Sequence, residues 1–593
     1  MLPMRPFAAR RALSQAALSL VFLLAACSEQ PSAPTRVVSS AATAPVEFGA
    51  RVPFVTCEAE DPANRTTGTV HLMTTPVEPS PEREASGYGY VELAQTGQYV
   101  EFAGLPAANG IVVRHCIPDA PEGDGQSATL GLYINDERRL SLTLSSHHNW
   151  LYGKTGNPGE NGQSNQPTDH PHVFWDESRF IVPGGIKPGD RVRVQKDTGD
   201  TAAFYRIDLL DAEQVPLPRE RPAGALSIGD FGANGQDAAT DTAAIRACLA
   251  AAKERHVAVW LPPGRFLVNG SLGVDGVVVQ GAGMWHTTVE FTERPKRWAG
   301  VFSLAGDGAQ VADLTIEGPS TARTEPLHGF TGQPHHWSIR RVWITHTNTA
   351  FWMSGEDGVI AECRVRFTYA DGINLNNGKS GYLRRVLVED NHARGCGDDS
   401  MAILCSMPVD GQRPEDHASE QVTLRHNTTI APWWASNCDL AGGSGHVIED
   451  NLFEGTGLVV NLPGAYPMQP QGAAIIRHNL LRRCGSDYRT QRRGALWIYP
   501  GSTTISGLVV ADNRIIAPLF TGIDLQGTQH QDCEFRDNLI TSPGEDAIRI
   551  GAKVSGSARF SGTRIEGLPE KGQAIRNLAT TPFQVLLSAD GKP

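Results

Sequence analysis

Three aspartates carry the clearest chemical signal in this chain. Asp371 stands in Tyr369-Ala370-Asp371-Gly372-Ile373, and Asp398 and Asp399 stand side by side in Gly395-Cys396-Gly397-Asp398-Asp399-Ser400. Breaking a glycosidic bond takes an acid at the leaving oxygen and a base or nucleophile near the anomeric carbon. Crowded carboxylates raise one another's proton affinity, so one of them can hold a proton near neutral pH. An isolated Asp-Asp pair reads more readily as a solvated turn or a calcium site. Asp371 changes that reading, because it precedes Asp398 by about 27 residues, an interval that fits one turn of a repeating fold. If that interval is one repeat, all three carboxylates stack in one patch.

Such a repeat is present. A β-rich stretch ending in Asp-Asn, or His-Asn, and followed by an apolar residue recurs at Asn391, Asn427, Asn451, Asn479, Asn513 and Asn538. The successive spacings, about 36, 24, 28, 34 and 25 residues, signal a solenoid in which each coil adds β-branched residues to one continuous core. The Asn is expected at one recurring turn, where it tolerates the left-handed conformation and can bond to the Asn above and below. The longer spacings mark insertions on one side, which usually build the binding face. A propeller needs four strands per repeat, and about 24–28 residues barely hold them.

The start of this region is similar to the opening cap of the pectin-lyase-like right-handed β-helix. The similarity rests on Ile228-Gly229-Asp230-Phe231-Gly232, Thr240-Asp241-Thr242 and Val259-Trp260-Leu261-Pro262-Pro263-Gly264. Thr240 or Asp241 should cap a helix over 241–254 whose apolar side covers the open end of the coil. The aspartates and their surroundings resemble the clan of β-helix glycosidases that includes polygalacturonases. The match is closer to glycoside hydrolase family 87, the mycodextranases and α-1,3-glucanases. Trp433-Trp434-Ala435-Ser436-Asn437-Cys438-Asp439 and Gly494-Ala495-Leu496-Trp497-Ile498 support it. The resemblance covers about 225–555. It implies an inverting hydrolase with Asp398 as general acid, Asp371 and Asp399 as the bases that activate water, and no catalytic cofactor. Inversion implies carboxyl groups about 6.5–9.5 Å apart. Asp439, Trp433, Trp434 and Trp497 are then candidate sugar contacts. The His-Gly and Arg-x-Lys that grip uronates in polygalacturonases are missing at the matching places, which favours a neutral α-glucan.

Residues 46–218 alternate with period two between Gly, Pro and Asn, as in Gln98-Tyr99-Val100-Glu101-Phe102, which reads as a β-sandwich. Cys57-Glu58-Ala59-Glu60, the strand at 97–102 and Tyr205-Arg206-Ile207-Asp208 resemble carbohydrate-binding modules of the family 6 and 35 type. That resemblance implies a structural Ca²⁺ on Glu58, Glu60 and Asp208. Trp150, Tyr152 and Trp175, in the long loops 147–153 and 157–178, are candidate sugar platforms. The whole is all-β: a sandwich over 46–218, then a parallel β-helix over 225–580.

Arg5, Arg10 and Arg11 precede an apolar run that ends in Leu24-Ala25-Ala26-Cys27. The pattern resembles a bacterial lipobox. It implies a signal peptide over 1–26, lipidation of Cys27 and a tether over 27–45. The expected protein is therefore an exported lipoprotein at the outer membrane, periplasm or cell surface, touching membrane through the lipid alone. Nine other cysteines cannot all pair within the chain; Cys57 and Cys116 are the natural pair in the first domain. A net charge of −12 argues against nucleic acid as a partner. The chain is expected to act as a monomer. Two other functions fit the same fold: a lyase or epimerase on acidic polysaccharide, and a surface protein that binds glycans without cleaving them.

Overall fold

In a computed structural model, residues 48–587 are described except 77–79, 155–165, 379–380, 410, 461–467, 489–490 and 502. Cys27, the leader 1–26 and the tether 27–45 lie outside the described residues, as does part of the loop 157–178.

Residues 54–213 fold into two antiparallel sheets. Strands Ala108–Cys116 and Tyr205–Glu213 lie at the centre of one, and Val192–Gln195 at the centre of the other. Their inward residues, among them Val91, Val100, Ile111, Val113, Leu130 and Leu210, make a closed apolar core. Cys57 and Cys116 do not bridge, contrary to expectation: both thiols are free. Cys57 is opposite Leu210, which is opposite Val113. It is thus two strands across and three residues along from Cys116, about 10 Å by strand rise alone and beyond disulfide reach.

From Leu226 onward all strands but the antiparallel pair at 486–493 are parallel, and most stack into a 25-stranded and a 12-stranded sheet, the two long walls of a β-helix. Helix Thr242–Arg255 closes the first coil by burying Ile245, Cys248, Leu249 and Ala252. Asp241 is its N-cap residue but does not cap it with its side chain; its carboxylate accepts from Asn234 N instead, at 2.8 Å.

The six asparagines form a buried ladder. From Asn427 to Asn538, each side-chain oxygen accepts from the backbone and side-chain N–H of the Asn one coil earlier, for example Asn427 N and Nδ2 to Asn451 Oδ1 at 2.8 and 3.0 Å. The left-handed residue, however, is the one before: Asp390, His426, Asp450, His478, Asp512 and Asp537 all have φ between 50° and 58°. The polar residue at that turn takes the strained backbone, which frees the Asn to point inward.

On the 12-stranded wall side chains alternate between core and outside. Phe302, Phe330, Phe351, Ile373 and Met401 form one inward row. The neighbouring outward row reads Ser303, Thr331, Trp352, Asn374, Ala402, Asp439, Val459, Trp497, Asp524. This outward row carries the site.

The sandwich is not a loosely tethered module. Arg394 is buried between Glu177 and Asp211, with Nη2–oxygen distances of 2.5 and 2.6 Å. Arg364 makes two bonds to Glu213, at 2.7 and 2.8 Å, and His346 Nε2 lies 2.9 Å from Asp176 Oδ1. Charges buried this deeply are costly without partners, so these pairs specify one docking geometry.

Candidate active site

Asp371 and Asp399 occupy equivalent turns just before strands Ile373–Asn376 and Met401–Leu404. Backbone bonds from Gly372 N to Asp399 O and from Ser400 N to Ser436 O, at 2.9 and 2.8 Å, put Asp371, Asp399 and Ser436 in one register, a coil apart. Asp398 N and Gly397 N both donate to Ala370 O at 3.0 Å, which draws Asp398 onto the turn of Asp371. The glycines make this approach possible: a Cβ on Gly397 would run into the Tyr369 carbonyl, and one on Gly372 would sit 2.5 Å from Ser400 O.

All three residues offer carboxylate oxygens within 4.8 Å of one another. Asp371 accepts from Asn374 Nδ2 at 2.9 Å and from Asp399 N at 3.3 Å. Asp399 accepts from Ser436 N at 3.0 Å. Burial, then the charge of Asp398, pushes the Asp371 carboxyl up to about 7. Burial and the charges of Asp398, Asp439 and Asp371 hold Asp399 well above the usual carboxylate range. One oxygen of each carboxylate therefore lies close enough to the others for the three groups to act on one small molecule.

Sequence reasoning missed Arg323. Its guanidinium pairs with Asp398 and lies 4.2 Å over the Trp434 ring. It comes from the irregular segment between strands Gln310–Glu317 and Leu327–Gly332, where no periodicity or motif marks it. The trio has the spacing of a metal cluster, but a built-in cation already stands against Asp398.

The proposed sugar contacts divide. Asp439 follows Ala402 in the outward row and joins the acidic patch through Asp399. Trp434 reaches the site, but one face is taken by Arg323. The other tryptophans are not open platforms. Trp433 packs with Phe174 and Tyr369 in the seam between sandwich and helix, where Trp175 is 1% exposed. Trp150 lies against the same cluster and donates its indole N–H to Ile117 O at 2.9 Å. Trp497 is 2% exposed, stacked on Tyr499 at 5.0 Å and covered by Arg493. Large flat rings gain most where they are fully buried, and the seam offers that burial. The loops expected to bind sugar instead brace the catalytic coil: His148 Nδ1 lies 2.8 Å from the Tyr369 hydroxyl, two residues before Asp371.

A second acidic cluster lies inside the sandwich. Ser86 links Glu58 (Oγ to Oε1, 2.7 Å) and Asp208 (N to Oδ2, 3.3 Å), and a Cβ on Gly87 would lie 2.7 Å from Glu60 Oε1. Glu58 Oε2, Glu60 Oε2 and Asp208 Oδ1 are buried with no hydrogen-bond partner. Burial and mutual repulsion hold Glu58 well above its ordinary range and push Glu60 up to about 8; burial pushes Asp208 up to about 6 against the pull of Arg114. Unpartnered carboxylate oxygens with raised proton affinity fit a hard cation such as Ca²⁺.

Two family profiles match in tandem: α-1,3-glucanase catalytic domain D1 over residues 51–215 and domain D2 over 238–464. The sandwich thus falls within the D1 profile. The chain is 25% identical to the catalytic unit of the thermostable family 87 α-1,3-glucanase of Streptomyces thermodiastaticus strain HF3-3, with a TM-score of 0.76 and coverage of 91% of this chain and 97% of that one. Its fold also matches the Agl-KA catalytic domain (22% identity, TM-score 0.80, covering 94% and 100%). A family 87 α-1,3-glucanase catalytic domain in complex with nigerose matches at 22% identity and TM-score 0.78, covering 92% and 99%. Among curated proteins, alginate lyase 7 of Azotobacter vinelandii is 26% identical over 195 residues and a mannuronan C5-epimerase of that organism 24% over 266. The matches take in 26% and 34% of this chain, and it spans only 23% and 14% of those two relatives.

Proposed function

The chain belongs to the α-1,3-glucanase family, whose two catalytic-domain profiles it matches in order along most of its length, and from that premise we propose that it hydrolyses α-1,3-linked glucan. The observation that carries this reading is the convergence of Asp371, Asp398 and Asp399 to within 4.8 Å on the outside of the coil.

Asp398 is the general acid, and Asp371 and Asp399 together hold the attacking water. A water accepting and donating at about 2.7 Å bridges oxygens up to about 5.4 Å apart, so two bases this close can share one. Such an arrangement is compatible with single displacement. In the free protein Arg323 pairs with Asp398, while Asp371 keeps a proton up to about pH 7. A sugar that draws Arg323 off Asp398 lets that proton pass from Asp371 to Asp398. One transfer then makes both the acid and the base competent.

Four carboxylates in one patch, Asp371, Asp398, Asp399 and Asp439, repel a uronate, which supports a neutral glucan over alginate or pectin. Purified protein should release reducing ends from α-1,3-glucan and nigeran. Pullulan and polygalacturonate should stay intact, and no unsaturated product should absorb in the ultraviolet. The first-formed anomer seen by NMR should be β. Cleavage of polygalacturonate alone would overturn the substrate; an α product would overturn the single displacement.

Three further assignments belong to this reading. Glu58, Glu60 and Asp208 would hold Ca²⁺ as a structural ion that stiffens the sandwich and takes no part in the reaction. Cys27 would carry the lipid that holds the protein to a membrane; a Cys27→Ala form should leave the membrane fraction on expression. The working unit would be a monomer, which light scattering checks.

A further inference from the structure

The outward row beside the trio also carries Trp352, the end of an aromatic stack that the mechanism does not use. Trp352 precedes Asn374 in register, one coil before Asp371's own strand, and is 38% exposed. One face of its indole is covered by His328, with centroids 5.4 Å apart and planes within 17°. Trp298 covers the far side of His328 at 4.9 Å and 10°, and is itself 64% exposed. His328 is 4% exposed, and burial between the indoles holds it down at about 4, so the stack is neutral at the pH where the trio works.

The stack spacing is close to the coil-to-coil distance of about 4.8 Å. The rings therefore stack along the helix axis, with the part-exposed Trp352 at the end nearest the coils of the aspartates. There the row falls to Asn374 and Ala402. Asn374 is tied to Asp371 at 2.9 Å, and Ala402 has only a methyl group. Trp352 is thus the exposed side chain of the row that stands next to the buried Asn374, Ala402 and Asp439. A pyranose presents an axial C–H face that packs on such a plate without an electrostatic term.

We propose that Trp352, braced from behind by His328 and Trp298, is the sugar platform beside the point of cleavage, and that it packs one face of a glucosyl unit of the α-1,3-glucan. The proposal rests on the substrate reading above. It also gives Trp298 a role, since its exposed indole, one step further along the stack, meets a longer chain but not a short one.

The test uses Asp398→Asn protein to bind without cleaving, and calorimetric titration with α-1,3-linked oligosaccharides of two to six units. Trp352→Ala should weaken binding at every length by tenfold or more. Trp352→Phe should recover most of it. Trp298→Ala should weaken only the longer ligands. In the active protein Trp352→Ala should raise KM with kcat changed less than threefold. Melting temperatures within a few degrees of the parent confirm folding, as expected for an exposed side chain. Unchanged affinity in Trp352→Ala, with the parent binding normally, overturns the platform alone. Failure of the Asp398→Asn parent to bind any α-1,3-oligosaccharide overturns the substrate reading and the platform with it.

Discussion

Replacing Asp371 with Asn should remove activity and, above neutral pH, stabilise the fold. Burial first, and then repulsion from Asp398, whose nearest oxygen lies within 4.8 Å, raise the proton affinity of Asp371. Against the pull of Arg323 and of the bonds from Asn374 and Asp399 N, they lift the Asp371 carboxyl from 3.8 to about 7, a rise of about 4 kcal/mol at 1.36 kcal/mol per pK unit. Because the folded value lies above the unfolded one, the folded protein binds this proton more tightly. The stabilisation is complete below about pH 4 and is lost as pH rises through 7. Wild-type protein at pH 8 therefore carries a buried charge that the Asn variant lacks. The difference in melting temperature, variant minus wild type, should grow by several degrees between pH 4 and pH 8. Losing an acceptor for Asn374 or Asp399 N shifts both ends equally and does not change the slope. Scanning calorimetry from pH 4 to 9 checks this. A difference that stays constant, or that shrinks as pH rises, would refute the claim that the trio is a site of stored repulsion.

Arg323→Gln removes a charge that lowers the proton affinity of Asp371; the acid limb of the kcat/KM profile should move to higher pH, and kcat should fall at least tenfold at pH 6. Chelation should lower the melting temperature of wild-type protein, and added Ca²⁺ should restore it, with about 2.7 kcal/mol gained at a hundredfold excess over Kd. Glu60→Gln should be indifferent to both, and Ca²⁺ affinity in the wild type should weaken below about pH 8, where Glu60 takes a proton. Phe174→Ala should cost about 3–5 kcal/mol of stability, since the ring is buried against Tyr369 at 4.9 Å and Trp433 at 5.4 Å. Its effect on α-1,3-glucan hydrolysis should fall on kcat more than on KM, because those two residues abut the turns that carry the aspartates.

What could be read from the sequence is what a solenoid makes linear. A coil repeats every 24 to 36 positions or so between the Asn marks, so two positions one repeat apart are neighbours in space and separation along the chain stands in for distance. The Asn ladder, the cap helix and the meeting of Asp371 with Asp398 and Asp399 all follow from that rule. It stops where contacts leave the coil axis. Arg323 reaches Asp398 across 75 residues from an irregular segment, and Trp175 and Trp433 are buried, with Trp150 packed against them, by the docking of one domain on another. No periodicity encodes which surface a second domain will cover, so rings that look like sugar platforms in the sequence became part of the seam. The trio's composition was written in the chain; its charge state, its cation and the aromatic stack beside it came from packing.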